Sequence, residues 1–351
     1  MSGPDRGGAA APPSVTAVVV AWDDAADVGA CLAALDAQDH PALDVVVVDN
    51  GSTDGTADVV AAALAGPLRH PARLHRHDRN LGLCAAVNAV LAGPTGAAVL
   101  LVNPDAVLAP DCARRLAEVL AAHPDCGSVQ PRLLRPADGG PDRIDTTGHL
   151  RTRLRLVLNR GQGRPAAAHA PPAGEVDGVS GAAVLHRRAM LDDVARHDGG
   201  RTEWLTEDLV AYFEDVELDL RARLRGWTAR YAPEAVGRHA RAGRARRRPR
   251  GVHVLNVANH LLVTIGHEPP RALARDLPLV LPVLVLRLVA AAVRRPAAVP
   301  AVLRRLRLLP RAIRRGRADR ARATPAGRAA LAAFSPLPDG WLGDAVRRAR
   351  P

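Results

Sequence analysis

The 351 residues, 48% of them hydrophobic and 24% charged, suffice for one large domain or two ordinary ones, which excludes a small scaffold stapled by disulfides or metal. Cys31, Cys84, Cys112 and Cys126 stand too far apart for a zinc knuckle or a redox dithiol and read as reduced packing residues of a cytoplasmic protein. All 48 basic residues are arginine and they divide the chain electrically: residues 1–240 hold 24 Arg against 31 acids, a balance of −7, whereas residues 241–351 hold 24 Arg against 5 acids, a balance of +19.

Residues 1–13, rich in Gly, Ala and Pro, read as a disordered tail without the basic start of a secretory signal. Val15–Val20 and Val45–Val48 are short, β-branched, wholly apolar runs of strand type. Between them Ala25, Ala26, Val28, Cys31, Leu32 and Leu35 recur at helical spacing and stop at Asp39-His40-Pro41, which makes a βαβ unit. A helix over Leu83–Leu91, a strand over Ala97–Val102 and a helix over Pro110–Ala122 continue the alternation. The pattern predicts an α/β fold with a mostly parallel sheet flanked by helices, ligands sitting at the carboxyl ends of the strands. Residues 136–175 carry no sustained period and read as loops with an antiparallel pair. After Arg241 come a basic run, Arg244–Arg250, and two apolar stretches, Val252–Ile265 and Leu277–Val293, the second interrupted by Pro278, Pro282 and Arg287. Seventeen interrupted residues fall short of the roughly 20 that a spanning helix needs.

Four places carry candidate chemistry. The Val45–Val48 strand runs into Asp49-Asn50-Gly51-Ser52-Thr53-Asp54, which sets an acid over the ligand crevice and then turns tightly into a helix, although a plain βα turn with capping residues has the same composition. Arg79-Asn80-Leu81-Gly82 opens the next helix in the same half. The third apolar strand ends in Asn103-Pro104-Asp105, where a carboxylate just past a buried strand suits a divalent cation on a diphosphate; an Asn-Pro-Asp turn is the plainer alternative. Glu214 and Asp215 open a helix anchored by Leu218, Leu224 and Trp227, with arginines at its far end, an arrangement that the helix dipole alone also favours. His239 follows downstream.

Taken in order, Asp49–Gly55, Asn80-Leu81-Gly82, Asn103-Pro104-Asp105, Val179-Ser180-Gly181-Ala182 with Arg187-Arg188, Glu214-Asp215 with Leu218 and Arg221, Gly226-Trp227 and His239 resemble glycosyltransferase family 2, in particular its bacterial rhamnosyltransferase-like members. The resemblance runs from about Val15 to Arg241. It implies a GT-A fold over residues 14–240, with a nucleotide-sugar half to about residue 125, an acceptor half after it, and an Arg-rich helical extension over 241–351. It also implies an inverting, metal-dependent transfer of a sugar, rhamnose leading, from a nucleoside-diphosphate donor to a hydroxyl of a glycan or lipid-linked acceptor. By position, Asp49 would contact the nucleobase, Asn80, Gly82 and Asn103 would lie around the donor, and Asp105 would bind Mg²⁺ or Mn²⁺ on the diphosphate. His239 would be the second metal or diphosphate ligand, Asp215 the general base, and Glu214 its neighbour. The motif departs from many relatives in carrying Asn103 where they have a first Asp.

Two rivals stand beside this reading. A sugar-phosphate nucleotidyltransferase normally has a Gly-rich loop with Arg and Lys after its first strand, where this chain has Trp22-Asp23-Asp24. Nucleic-acid binding by the basic third is supported by charge, yet that third lacks interleaved aromatics. For the apolar stretches two arrangements stay open: helices packed on the domain, or helices lying on an anionic membrane surface at the inner face of the plasma membrane.

Overall fold

The two valine-rich runs are neighbouring parallel strands. In the computed structural model, which describes residues 12–137, 140–241 and 250–338, β1 (Val15–Ala21) pairs with β2 (Leu43–Asp49) across the helix α1 (Val28–Asp36). Most of the expected tail and most of the basic run Arg244–Arg250 lie outside the described residues. Helix α2 (Thr56–Leu64) leads to β3 (Ala72–Arg76), parallel to β2, and α3 (Leu83–Leu91) leads to β4 (Ala98–Val102), parallel to β1 on its other side. These strands are apolar at successive positions because both faces are covered: Val15, Ala17, Val19, Val45 and Val47 pack on one side with α1, while Val18, Val46 and Val48 pack on the other with α3.

After β4 come β5 (Ala106–Leu108), α4 (Cys112–Ala122), and the long β6 (Cys126–Ala137) with its hairpin partner β7 (Gly140–Thr146). Next are the pair β8 (His149–Arg151) and β9 (Val157–Asn159), then β10 (Gly174–Val176) and β11 (Ala183–Arg187). Helix α5 (Arg188–Val194), the hairpin β12 (Arg196–Asp198) and β13 (Arg201–Glu203), α6 (Glu214–Arg225) and β14 (Thr228–His239) complete this part. The main sheet has the order β10-β14-β6-β11-β4-β1-β2-β3, with β11 antiparallel to β4 and β5 antiparallel to β14. Within the described part of 136–175 the expected antiparallel pair is β8–β9, β7 folds back on β6, and only β10 is held by a distant partner, β14. All four cysteines are buried and free.

Among the described residues the α-helices that follow are α7 (Arg250–His267), α8 (Pro270–Arg294), α9 (Val299–Leu306), α10 (Leu309–Ala321) and α11 (Pro325–Ala332). Helices α7 and α11 pack against α6, and α7 packs along α10. That crossing is close because Gly316 meets the backbone of Gly266, where a Cβ would fall 2.0 Å from the Gly266 carbonyl oxygen. Ion pairs sew this layer to the sheet domain: Arg155 reaches Glu268 at 3.1 Å and Asp276 at 3.0 Å, Arg151 pairs with Glu268, and both guanidinium groups stack on Phe334. Pro278 and Pro282 do not interrupt α8; both lie on its exposed side, where the carbonyls they leave unbonded face outward. Among the described residues no helix is long and apolar enough to cross a membrane.

Candidate active site

On the side of β1–β4, the turn after β2 fixes Asp49. Its carboxylate is buried, accepts from the Ser52 N–H at 3.1 Å and lies 3.6 Å from Arg76 Nε. The following turn is cross-linked by side-chain amides: Asn50 Nδ2 donates to Asn80 Oδ1 at 3.1 Å, Asn50 Oδ1 accepts from the Leu81 N–H at 3.0 Å, and Asn80 Oδ1 accepts from the Gly82 N–H at 2.8 Å. Asn80 is thus occupied in shaping the start of α3. Gly82 has φ +87°, and a Cβ there would lie 2.8 Å from Val210 Cγ1, so glycine is required both by conformation and by space.

Asp105 and His239 are 134 positions apart and meet because β5 pairs with β14, which sets His239 opposite Ala106. His239 Nε2 stands 3.2 Å from Asp105 Oδ1 and 3.4 Å from Asn103 Nδ2, while its Nδ1 is 2.8 Å from Asp145 Oδ2. Burial opposes a charge on this imidazole, but hydrogen bonds to Asp105 and Asp145 outweigh it and raise its pKa. A carboxylate behind one ring nitrogen, with the other turned to a second carboxylate in a cleft, is the arrangement of a metal-ligating histidine. Neighbouring ligands of an octahedral cation at ordinary bond lengths stand about 3 Å apart, so Asp105 Oδ1 and His239 Nε2 are spaced to share one. Asp145, wholly buried and also paired with Arg241, was not foreseen; it stands close in sequence to Asp138 and Asp142 in a stretch without periodicity, and nothing in the sequence sets it apart from them.

Glu214 and Asp215 form the first turn of α6, where the helix dipole favours carboxylates. Asp215 Oδ2 accepts from the Gly181 N–H at 3.0 Å, and at the next residue the Asn103 N–H donates to Ala182 O at 2.9 Å, so one short segment before β11 touches both the end of β4 and the start of α6. Beneath it Asp219 Oδ2 accepts from the Val179 N–H at 2.9 Å and lies 3.6 Å from His149 Nδ1; burial pushes the Asp219 carboxyl up to about 6. Arg221 is structural: fully buried, it pairs with Glu217 and donates to the carbonyls of Val194 and Trp204. The loop ahead of α6 is strained, with φ of +66°, +67° and +68° at Val210, Tyr212 and Phe213. From α7, Asn259 shares its amide N–H groups among the carbonyls of Leu209, Ala211 and Tyr212 at 2.8–2.9 Å.

A cleft of about 780 Å³ joins these parts, lined among others by Asn103, Asp105, His149, Glu214, Asp215 and His239. Asp49, Asn80 and Gly82 do not line it; they stand at the turns leading to α2 and α3, and Leu83, next after Gly82, does line it. Residues 16–191, half of the chain, match the model of Glycosyl transferase family 2. The chain belongs to glycosyltransferase family 2. That membership separates it from the nucleotidyltransferase rival. The match ends before α6, so Glu214, Asp215 and His239 join the site through geometry. A relative 29% identical over 239 residues, 62% of this chain and 73% of its own length, is N-acetylglucosaminyl-diphospho-decaprenol L-rhamnosyltransferase of Mycobacterium tuberculosis. In fold this glycosyltransferase is similar to mannosyltransferase PcManGT of Pyrobaculum calidifontis, solved with GDP-Man and Mn²⁺, at TM-score 0.51 and 21% identity over 95% of this chain and 88% of that one. It is also similar to GalNAc-T7 with UDP, GalNAc and Mn²⁺, at TM-score 0.50 and 11% identity over 72% and 47%. The fold is GT-A.

Proposed function

We propose that this glycosyltransferase moves a sugar, rhamnose first among the candidates, from a nucleoside-diphosphate donor to a hydroxyl of a lipid-linked glycan, with inversion and with Mg²⁺ or Mn²⁺ bound. One observation carries the reading: the Asp105–His239 pair and the Glu214–Asp215 helix start line the same cleft. Asp105 Oδ1 and His239 Nε2 would hold the cation, which supplies positive charge to the departing diphosphate. Asp49 contacts the nucleobase, the Asn80–Gly82 turn shapes the wall beside it, and Asn103 lies by the diphosphate. Asp215, oriented by the Gly181 N–H, takes the proton of the acceptor hydroxyl as its oxygen attacks the anomeric carbon from the face opposite the leaving group. The new carbon–oxygen bond forms as the bond to the diphosphate breaks, which inverts that carbon. Glu214 sits beside the base and adds negative charge on the acceptor side.

The M. tuberculosis relative, named for L-rhamnosyl transfer to a diphospho-decaprenol-linked sugar, supports the choice of sugar and acceptor. The buried free thiols suit a cytoplasmic setting. The test is release of nucleoside diphosphate from a panel of nucleotide sugars, L-rhamnose donors included, with Mg²⁺ or Mn²⁺ and then with chelator. Turnover of one donor that stops with chelator is expected. Turnover untouched by chelator would contradict the metal role, and a panel with no turned-over donor would contradict the reaction.

A further inference from the structure

Helix α8 is built inside out. Its one acid, Asp276, faces the sheet domain, fully buried, and pairs with Arg153, Arg155 and Arg275; Val280 is also fully buried, and Arg287 is half-buried, on the same stripe one and three turns further on. The outward arc is apolar: Leu277, Leu281, Val285, Leu286, Val289 and Val293 are between 44% and 76% exposed. A helix that, from Asp276 on, turns its acid and Arg287 to the protein and its leucines and valines away from it is matched to an apolar medium outside.

We infer that α8 seats the enzyme on an anionic lipid bilayer, lying in the head-group boundary with its outward arc among the acyl chains. Charge selects this occupant over a second copy of the chain. Exposed arginines border the arc at Arg271 and Arg275 before it and at Arg304 and Arg307, beside exposed Leu303, after it, within a segment of balance +19. Two copies meeting there would oppose like charge, whereas anionic head groups neutralise it. The prolines fix the depth. Pro278 and Pro282 leave the carbonyls of Ala274 and Pro278 without helical donors, which water satisfies at the boundary and the hydrocarbon centre does not. The cleft opens beside this seat: Arg295, directly after α8, lines it together with Val252, His253 and Asn256 of α7. A hydroxyl carried on a lipid-linked glycan therefore reaches the Glu214–Asp215 side of the cleft from the surface on which the enzyme sits. That last step rests on the acceptor proposed above; the seat itself does not.

The test is co-sedimentation of the full chain with phosphatidylcholine vesicles, with and without phosphatidylglycerol, in the absence of donor and acceptor. The variant carries Leu281→Glu and Leu286→Glu, both outside the cleft. Wild type should bind the anionic vesicles, and the variant should partition about tenfold more weakly for each leucine replaced, with an unchanged circular dichroism spectrum and urea midpoint as the folding control. No binding at low salt would overturn the seat, as would salt-sensitive binding that the variant retains, since arginine charge alone would then account for it. Self-association abolished in the variant, without vesicle binding, would assign the face to a second copy. Because no sugar is present, these outcomes are independent of whether the proposed transfer occurs.

Discussion

His239 Nδ1 and Nε2 face two different carboxylates, and this asymmetry carries the argument for a cation at Asp105. If Asp145 orients the ring and keeps Nε2 turned to the cleft, Asp145→Asn should weaken Mn²⁺ affinity by about 10–100-fold, the usual effect of losing such a partner. Titration of Mn²⁺ in the presence of nucleoside diphosphate checks this. Affinity equal to wild type would mean that Asp145 only balances Arg241. Asp105 was legible as a sequence candidate because it follows an apolar strand, whereas His239 was named only through its place in the family resemblance. Their contact rests on the β5–β14 pairing, and Asp145 enters through the β6–β7 hairpin, neither of which leaves a local pattern.

Among the elements, the strained turn Val210–Phe213 couples the two sides of the cleft. Its Val210 carbonyl accepts from the Cys84 N–H at the start of α3, its last residue caps α6, and the Phe213 ring packs at a tilt of 40° against His260 of α7 with centroids 5.3 Å apart. Positive φ at three side-chain-bearing residues costs of order 1–3 kcal/mol each and persists only where neighbours enforce it. Asn259 is such a neighbour, itself held by Arg305 at 3.0 Å. Asn259→Ala should cost about 1–3 kcal/mol of stability and lower kcat while leaving donor affinity near wild type. Equal kcat in a folded variant would show that the loop holds its own shape. At this scale the valine strands and the helices α1, α3 and α4 were readable from period and composition. Strand β3 was not: Ala72-Arg73-Leu74-His75-Arg76 is a half-exposed edge whose outer face is polar. Nor was β14, whose apolar positions are interrupted by Arg230, Pro233 and Glu234, near the irregularity in its pairing with β6.

Across the whole molecule, the C-terminal helices are fastened to the catalytic half by a buried network. His267 of α7 lies 3.1 Å from Glu217 of α6 and 3.4 Å from Asp319 of α10, and Arg196 reaches the same two carboxylates at 2.6 and 2.7 Å. These three ligand types also approach the spacing of a metal site, but the Arg196 guanidinium already supplies the positive charge between them. Burial would lower the His267 pKa; its hydrogen bonds to Asp319 and Glu217 and their charges raise it above the ordinary 6.5. A raised folded-state pKa means that this contribution to stability is full below about 6.5 and fades as pH rises through the folded value. The urea midpoint should therefore fall from neutral to mildly alkaline pH, and His267→Gln should flatten that slope; an unchanged slope would place the titration elsewhere. The basic excess of this segment was visible in composition, but which arginines turn inward was not: Arg315 does so because Glu203 and Asp208, more than a hundred residues earlier, meet it there. The central claim concerns the cleft between these parts, and Asp215→Asn tests it most directly: donor binding by calorimetry with Mn²⁺, beside nucleoside-diphosphate release in the presence of acceptor. The account predicts donor affinity close to wild type with turnover lowered by about 10²–10⁴; a variant that turns over at the wild-type rate would contradict it.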